Sequence, residues 1–268
     1  MTKLSYVARI VRKLKKYLLS PRLNITPTYL ILKSFGSVYG GWVIANSESL
    51  KSSTIISCGL GEDASFDVEM AQEFGLKVIF VDPTPRAIIH FNQIINRLGH
   101  GKTTDYSTGG AQLIDSYNLV NLTESNFKLI PKAIWISDKP VRFYLPPVKE
   151  HVSHSILNYQ NYYSSDTSYI EVEAISMKQL VVSESLGIIP LIKLDVEGAE
   201  IEVIGSFLNE GILPEQLLVE YDELSTPTLK GRRRIIFCHN LLVDHGYALV
   251  NYSSPSNFLY VSKDAFSI

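Results

Sequence analysis

The chain of 268 residues has two cysteines, Cys58 and Cys238. Two cysteines cannot build a disulfide framework, so both are read as free thiols and reducing cytosol as the compartment. Long hydrophobic runs are missing as well. No stretch reaches the ~18 apolar residues that a bilayer span needs. The N-terminus carries positive charge without a long apolar core or a small-residue cleavage site, so it does not read as a secretory signal. The six histidines and two cysteines show no paired ligand spacing, which argues against a Cys/His zinc site. Charged residues make up only 19% of the chain against 46% apolar, enough for a full core and contrary to disorder. No internal repeat is visible.

Charge is unevenly placed. Residues 1–22 hold seven Lys/Arg (Lys3, Arg9, Arg12, Lys13, Lys15, Lys16, Arg22) and no acid, leaving 18 basic and 27 acidic residues elsewhere, a net charge of −9. Nucleic acid is therefore not expected as a partner, because no basic stripe with interleaved aromatics occurs in the acidic remainder. Within the basic segment Leu4, Val7, Ile10, Val11, Leu14 and Leu18 recur at helical spacing. Such a helix over residues 4–19 fits peripheral contact with the inner membrane surface. Docking on its own domain or on a second subunit is the competing expectation, and an oligomer stays open. Residues 1–37 are read as this helical extension and 38–268 as one domain, long for a single domain but typical of an elaborated α/β sheet.

What is present is a strand, a glycine turn, a helix, a second strand and an acid. The apolar run Thr54-Ile55-Ile56-Ser57-Cys58 leads into Gly59-Leu60-Gly61-Glu62-Asp63-Ala64. A helix from Ala64 to Phe74 follows, closed by Gly75. Lys77-Val78-Ile79-Phe80-Val81 then ends in Asp82, 21 residues beyond Gly61. A nucleoside site asks for this order: glycines for close backbone approach, a helix N-terminus with free N–H groups, and an acid for ribose hydroxyls. The plain alternative is an ordinary turn with Asp82 capping a helix before Pro83.

Further on, Pro190-Leu191-Ile192-Lys193-Leu194 reads as a buried strand that delivers Asp195, Glu197 and Glu200 at its C-terminal end, the edge at which open α/β sheets bind ligands. The core Lys193-Leu194-Asp195-Val196-Glu197-Gly198-Ala199-Glu200 resembles the signature of FkbM-type S-adenosylmethionine-dependent methyltransferases, and Leu217-Leu218-Val219-Glu220 resembles their following strand. Gly40-Gly41-Trp42, the Gly59 to Phe66 turn and Asp82-Pro83-Thr84-Pro85 are similar to a subset of that family, so the likeness runs from about residue 38 to 262. It implies a Rossmann-like class I methyltransferase fold: seven strands, mostly parallel, with an antiparallel C-terminal hairpin and helices on both faces. It also implies S-adenosylmethionine as cofactor, bound by Ser57, Cys58, Gly59, Gly61, Glu62, Asp63, Asp82, Pro83 and Asp195. The chain departs at Ser57, where many members carry an acid, and at Asp63, where they carry a third glycine. Glu62 and Asp63 are candidates to replace the missing contacts to the methionine end.

The remaining elements agree with an α/β sheet. Helices are expected over Arg86–Leu98, Met177–Leu186, Ile201–Asn209 and Lys230–His245, and a closing hairpin over Tyr247–Asn251 and Phe258–Ser262. Residues 99–125 read as a long polar insertion or lid. Ala133–Ile136 and Val141–Leu145 read as a strand with a hairpin partner, and Ile170–Ala174 as another strand. Leu145-Pro146-Pro147 reads as a loop stiffener, and Tyr159, Tyr162 and Tyr163 as a tyrosine-rich patch.

Two competitors are weighed. A short-chain nicotinamide oxidoreductase would need Tyr-x-x-x-Lys downstream of the glycine turn, and the only such pair, Tyr29 and Lys33, lies upstream. A module that kept the fold but lost catalysis would bind cofactor without turning it over. Asp195-Val196-Glu197-Gly198 occupies the slot of the Asn/Asp-Pro-Pro-aromatic loop used on bases and amides. Together with that missing loop, the resemblance to the FkbM-type family implies an acceptor hydroxyl on a sugar, glycan or other small-molecule glycoside. A hydroxyl needs a base. Asp195, Glu197 and His154 lead the candidates, with Glu200 and His151 behind them and capping as the alternative role for the glutamates. A divalent ion held by Asp195 and Glu220 remains open but is not indicated.

Overall fold

The computed structural model describes residues 18–144, 168–253 and 256–268. His151, His154, Leu145-Pro146-Pro147, the tyrosines at 159, 162 and 163 and nearly all of the amphipathic N-terminal pattern lie outside them.

A mixed seven-stranded sheet organises the chain. Its strands are β3 (Thr54–Cys58), β4 (Lys77–Val81), β5 (Phe127–Ile130), β10 (Leu191–Leu194), β11 (Gln216–Glu220), β12 (Tyr247–Ser253) and β13 (Asn257–Ser262). Their order is β12-β13-β11-β10-β3-β4-β5. From β11 to β5 all neighbours run parallel, while β13 is antiparallel to both β11 and β12. Strands buried on both faces read as near-continuous apolar runs. Along β10, Leu191 packs into one core with Leu218 and Ile55, whereas Ile192 and Leu194 pack into the other with Leu217 and Ile56. The strand period of two thus feeds two cores at once.

Helices cover both faces. On one side lie α1 (Ser65–Phe74) and α2 (Pro85–Asn96), which place Phe66, Met70, Ala87 and Ile94 in the first core. Gly75 ends α1 in the left-handed conformation, and Thr84 caps α2 ahead of Pro85 in its first turn. An antiparallel ribbon of β1 (Leu32–Phe35) and β2 (Trp42–Ala45) joins that layer through Trp42 and Ile44. On the other side α3 (Met177–Ser183), α4 (Glu200–Asn209) and α5 (Leu229–Asp244) contribute Leu180, Phe207 and Ile235 to the second core. A short helix, α6 (Lys263–Phe266), follows β13.

Two expectations need correction. β6 (Ala133–Trp135) does not form a hairpin with β7 (Val141–Tyr144). It runs parallel to β9 (Ala174–Ser176), and β7 pairs antiparallel with β8 (Tyr169–Val172). The expected strand at 170–174 is therefore two strands broken at Glu173, each with its own partner. Residues 99–125, expected as a long insertion or lid, pack partly on the body, with Gly110 and Ala111 bordering the cleft described below. Two 3₁₀ turns, Ile114–Ser116 and Glu124–Asn126, shape this stretch, and Tyr117, Leu119 and Leu122 are buried in the first core.

The sheet order places a topological switch between β3 and β10, because the chain proceeds outward from β3 through β4 to β5 and later returns through β10 to β11 on the other side. Crevices beyond the carboxyl ends of such strands are where open α/β sheets take ligands. Gly59 and Asp195 follow those two strands directly.

Candidate functional site

A cleft of about 1150 Å³ opens at this edge. Its floor is the glycine turn. Gly59 has φ +85° and packs so closely on β10 that an added Cβ would run into the Asp195 carbonyl oxygen. Two backbone bonds seal the junction: Gly59 N–H donates to Val81 O at 3.1 Å and Asp195 N–H donates to Cys58 O at 3.1 Å. Lys193 Nζ adds a third by donating to Gly59 O at 2.8 Å. Gly61, at φ +55°, behaves differently, since a Cβ there would meet nothing within 4 Å. The first glycine serves strand packing, and the second leaves room on the ligand side.

Asp82 lines the cleft, yet its carboxylate already accepts four hydrogen bonds. Oδ2 takes Leu60 N–H and Gly61 N–H, both at 3.0 Å, and Oδ1 takes Thr84 N–H at 2.8 Å and Thr84 Oγ1 at 2.7 Å. It fixes the shape of the glycine turn, with Pro83 beside it on the cleft wall. Asp63 is a second organiser. It accepts from Ser37 Oγ at 2.6 Å, Ser65 N–H at 2.9 Å and Gln112 Nε2 at 3.0 Å, which ties the 36–41 loop and the 107–112 loop to the turn. Glu62 meets Arg86 at 3.3 Å. Ser57 and Cys58 sit beneath the turn, fully buried, and neither borders the cleft. Burial pushes the Cys58 thiol up to about 12, so it stays neutral.

The far wall is acidic. Asp195 and Glu220, at the ends of β10 and β11, face each other and share a hydrogen bond that needs one proton between them. Burial, then the charge of Glu220, pushes Asp195 up to about 8, against the pull of Lys193. Burial also raises Glu220, although Ser256 Oγ donates to it at 2.7 Å. Asp222 follows just beyond β11 and is pushed up to about 11 by burial and by the charges of Glu197, Glu200, Glu220 and Asp195. Lys193 is held in the opposite sense. Burial alone would lower it, but Asp67 and Asp195 outweigh that and keep it above the ordinary lysine value. Its ammonium lies 5.9 Å from the Trp42 ring centroid. Among the described residues, Glu62, Asp63, Asp82, Asp195, Glu197, Glu220 and Asp222 line the cleft against two cations, Arg86 and Lys193.

A family profile described as the Methyltransferase FkbM domain matches residues 45–226, which span β3 to the turn after β11 and carry all seven carboxylates. The chain belongs to the FkbM methyltransferase family. Among curated proteins and solved structures, nothing matches it.

Within this FkbM domain the signature residues separate by task. Glu197 stands in the cleft at φ +56°, a costly conformation for a non-glycine residue. Glu200 does not reach the cleft. Its Oε1 accepts from Val196 N–H at 2.9 Å and Gly198 N–H at 3.2 Å, so it holds the Asp195–Gly198 loop from behind. Tyr39 and Asp222 were not singled out from sequence. Tyr39 stacks over Gly110 at the rim, and burial together with Asp195, Glu220 and Glu197 raises its hydroxyl pKa. Tyr39 stands in a Gly36 to Gly41 loop and Asp222 two residues past Glu220, which were the available signals. Among the described residues, no group of three or more His, Cys, Asp or Glu side chains could hold a metal ion.

Proposed function

We propose that the cleft binds S-adenosylmethionine and transfers its methyl group to a hydroxyl of a sugar, glycan or other small-molecule glycoside, on a Rossmann-like sheet of the class I kind. The observation that carries the reading is the excess of carboxylates around an open glycine turn. Bound there, the cofactor supplies an electrophilic methyl carbon on a sulfonium and a second positive charge on its ammonium, both suited to an acidic wall. Gly61 leaves open space for close approach. A nicotinamide dinucleotide fits less well. Its pyrophosphate would need the N–H groups of the turn, and those of Leu60 and Gly61 already donate to Asp82.

The residues divide the work as follows. Asp82 and Lys193 hold the turn. Asp195 and Glu220, sharing one proton, take the proton that an attacking hydroxyl releases. A base that titrates near the working pH suits this task better than an ordinary carboxylate, and positioning it contributes ~10²–10⁴-fold. Alignment of the hydroxyl oxygen at about 3–3.5 Å from the methyl carbon supplies the larger part of the barrier reduction. Glu197 and Tyr39 border the space the acceptor would enter.

Titration calorimetry should give saturable binding of S-adenosylmethionine and none of NAD. Incubation of the protein with methyl-labelled cofactor and cell extract then identifies the acceptor. Saturable NAD binding without response to S-adenosylmethionine would overturn the reading, and label found only on protein or nucleic acid would overturn the hydroxyl assignment. Cofactor binding without any labelled product across extracts would leave a binding module.

A further inference from the structure

The cleft is acidic, but a different face of the molecule is basic and apolar together. Helix α5 begins Leu229-Lys230-Gly231-Arg232-Arg233-Arg234, four cations within five residues. Arg234 folds inward, bonding Glu202 with both terminal nitrogens at 2.8 and 2.9 Å and Glu223 at 3.0 Å. Arg233 is exposed. Beside it a groove of about 680 Å³ runs between α4 and α5, lined by Ile201, Gly205, Leu229, Arg233 and Phe237. Leu229 is 61% and Phe237 64% exposed. A large ring left in water next to a cation, along a groove, marks a contact surface more than ordinary scatter of apolar residues.

A second observation extends this face. Arg232 donates to the carbonyl of Leu18 at 3.2 Å, so the chain just before Arg22 meets this same helix. Leu18 is itself exposed. Residues 23–268 carry a net charge of −9 even with these four cations included, opposite in sign to this patch. A polarised charge distribution of that kind orients a protein on a charged surface.

We infer that the N-terminal half of α5 and its groove dock on an anionic lipid surface. Arg233 meets headgroup phosphates, and Phe237 with Leu229 inserts at the boundary of the acyl chains. The acidic body, repelled by the same surface, faces away. The occupant is lipid because the groove pairs exposed apolar side chains with cations, which complements both layers of an anionic leaflet.

The test sediments the full chain with vesicles of phosphatidylcholine alone and with vesicles containing roughly 30 mol % phosphatidylglycerol, at low and high salt. The expected result is binding to the anionic vesicles only, weakened by salt. Arg233→Ser should lower the partition coefficient about five-fold, the value of one cation near such a surface. Phe237→Ser should lower it at least as much, and both variants should melt as the parent does because both side chains are exposed. Absence of binding to anionic vesicles would overturn the inference. Equal binding by parent and both variants would also overturn it, assigning the contact to the N-terminal segment alone. Light scattering that reports a dimer lost on Phe237→Ser would make a second copy the occupant and overturn it likewise. No methyl transfer is read, so failure here leaves the proposed catalytic function standing.

Discussion

Replacing either glycine of the turn by alanine separates two roles that one motif conceals. At Gly61 the alanine Cβ meets nothing within 4 Å, so the cost is the left-handed backbone alone, about 1–2 kcal/mol. For a domain of this size that is a loss of roughly 2–8 °C in melting temperature. At Gly59 the same backbone cost applies at φ +85°, and the Cβ also runs into the Asp195 carbonyl. The colliding atom belongs to backbone, which cannot rotate away, so β3 and β10 must separate. Overpacking of that kind adds ~1–3 kcal/mol, and more where neighbours are fixed. Here they are fixed, by the Asp195 to Cys58 and Gly59 to Val81 backbone bonds. Gly59→Ala should therefore cost about 2–5 kcal/mol. It should also displace Asp195, so turnover falls further than the loss of folded protein explains. Scanning calorimetry on both variants, with turnover measured well below the melting point, decides the matter. Equal melting temperatures for Gly59→Ala and Gly61→Ala would refute the packing argument.

Three further outcomes follow from the same geometry. Asp82→Ala should weaken cofactor binding by about 1–3 kcal/mol and lower the melting temperature as well, because charge-assisted bonds within the protein are lost; Asp82→Asn should do nearly the same, since an amide cannot accept at both oxygen positions, and normal stability in either variant would sink this. Lys193→Met removes the counter-charge beside buried Asp67 and should destabilise by about 3–5 kcal/mol, read by urea denaturation. Asp195 is raised from the ordinary carboxylate value to about 8, so the folded protein binds more protons than the unfolded chain between about pH 4 and 8, and the stability of the cofactor-free protein should fall as pH rises through that window. Asp195→Asn should flatten that fall while lowering turnover at least ~10²-fold, and near-parental turnover in a folded Asn variant would end the catalytic assignment.

Local signals were legible and non-local ones were not. The turn from Gly59 to Ala64 and the helices around it depend on residues close in sequence, and their boundaries fall within two or three residues of expectation. The edge strand Phe127–Ile130 escaped notice because four residues, half of them partly exposed, carry too little pattern to distinguish a strand. The β6 and β7 partners were misjudged for another reason. Alternation reports that a segment is a strand but not which strand it pairs with, and proximity in sequence favoured a hairpin that the fold does not make. The carboxylate wall was legible in part, since Asp195 and Glu220 were read together while Asp222 was missed. Asp82, Asp195 and Glu220 come from three strands, and only the sheet order brings them to one rim.

The Lys193 to Glu200 signature is built from the backbone outward. Strand alternation sends Ile192 and Leu194 into the core under α4, leaving Lys193 to face the other way, toward Asp67 and the Gly59 carbonyl. One residue past the strand, Asp195 enters the cleft, where the same lysine limits how far its pKa rises. The chain must then turn sharply into α4, and it does so through positive φ at both Glu197 and Gly198. Such a turn leaves backbone N–H groups pointing inward, and Glu200 accepts two of them from the first turn of α4. Burial beside Glu223 raises the pKa of Glu200. The protein thus keeps costly carboxylates both in front of the loop and behind it. Those behind hold the geometry, and those in front leave a field of negative charge that a bound cation would relieve. Stability is lost at the rim of the sheet for the sake of a site that a cationic ligand would restore, which is why the pH dependence of the cofactor-free protein and its affinity for a cation should be two readings of one arrangement.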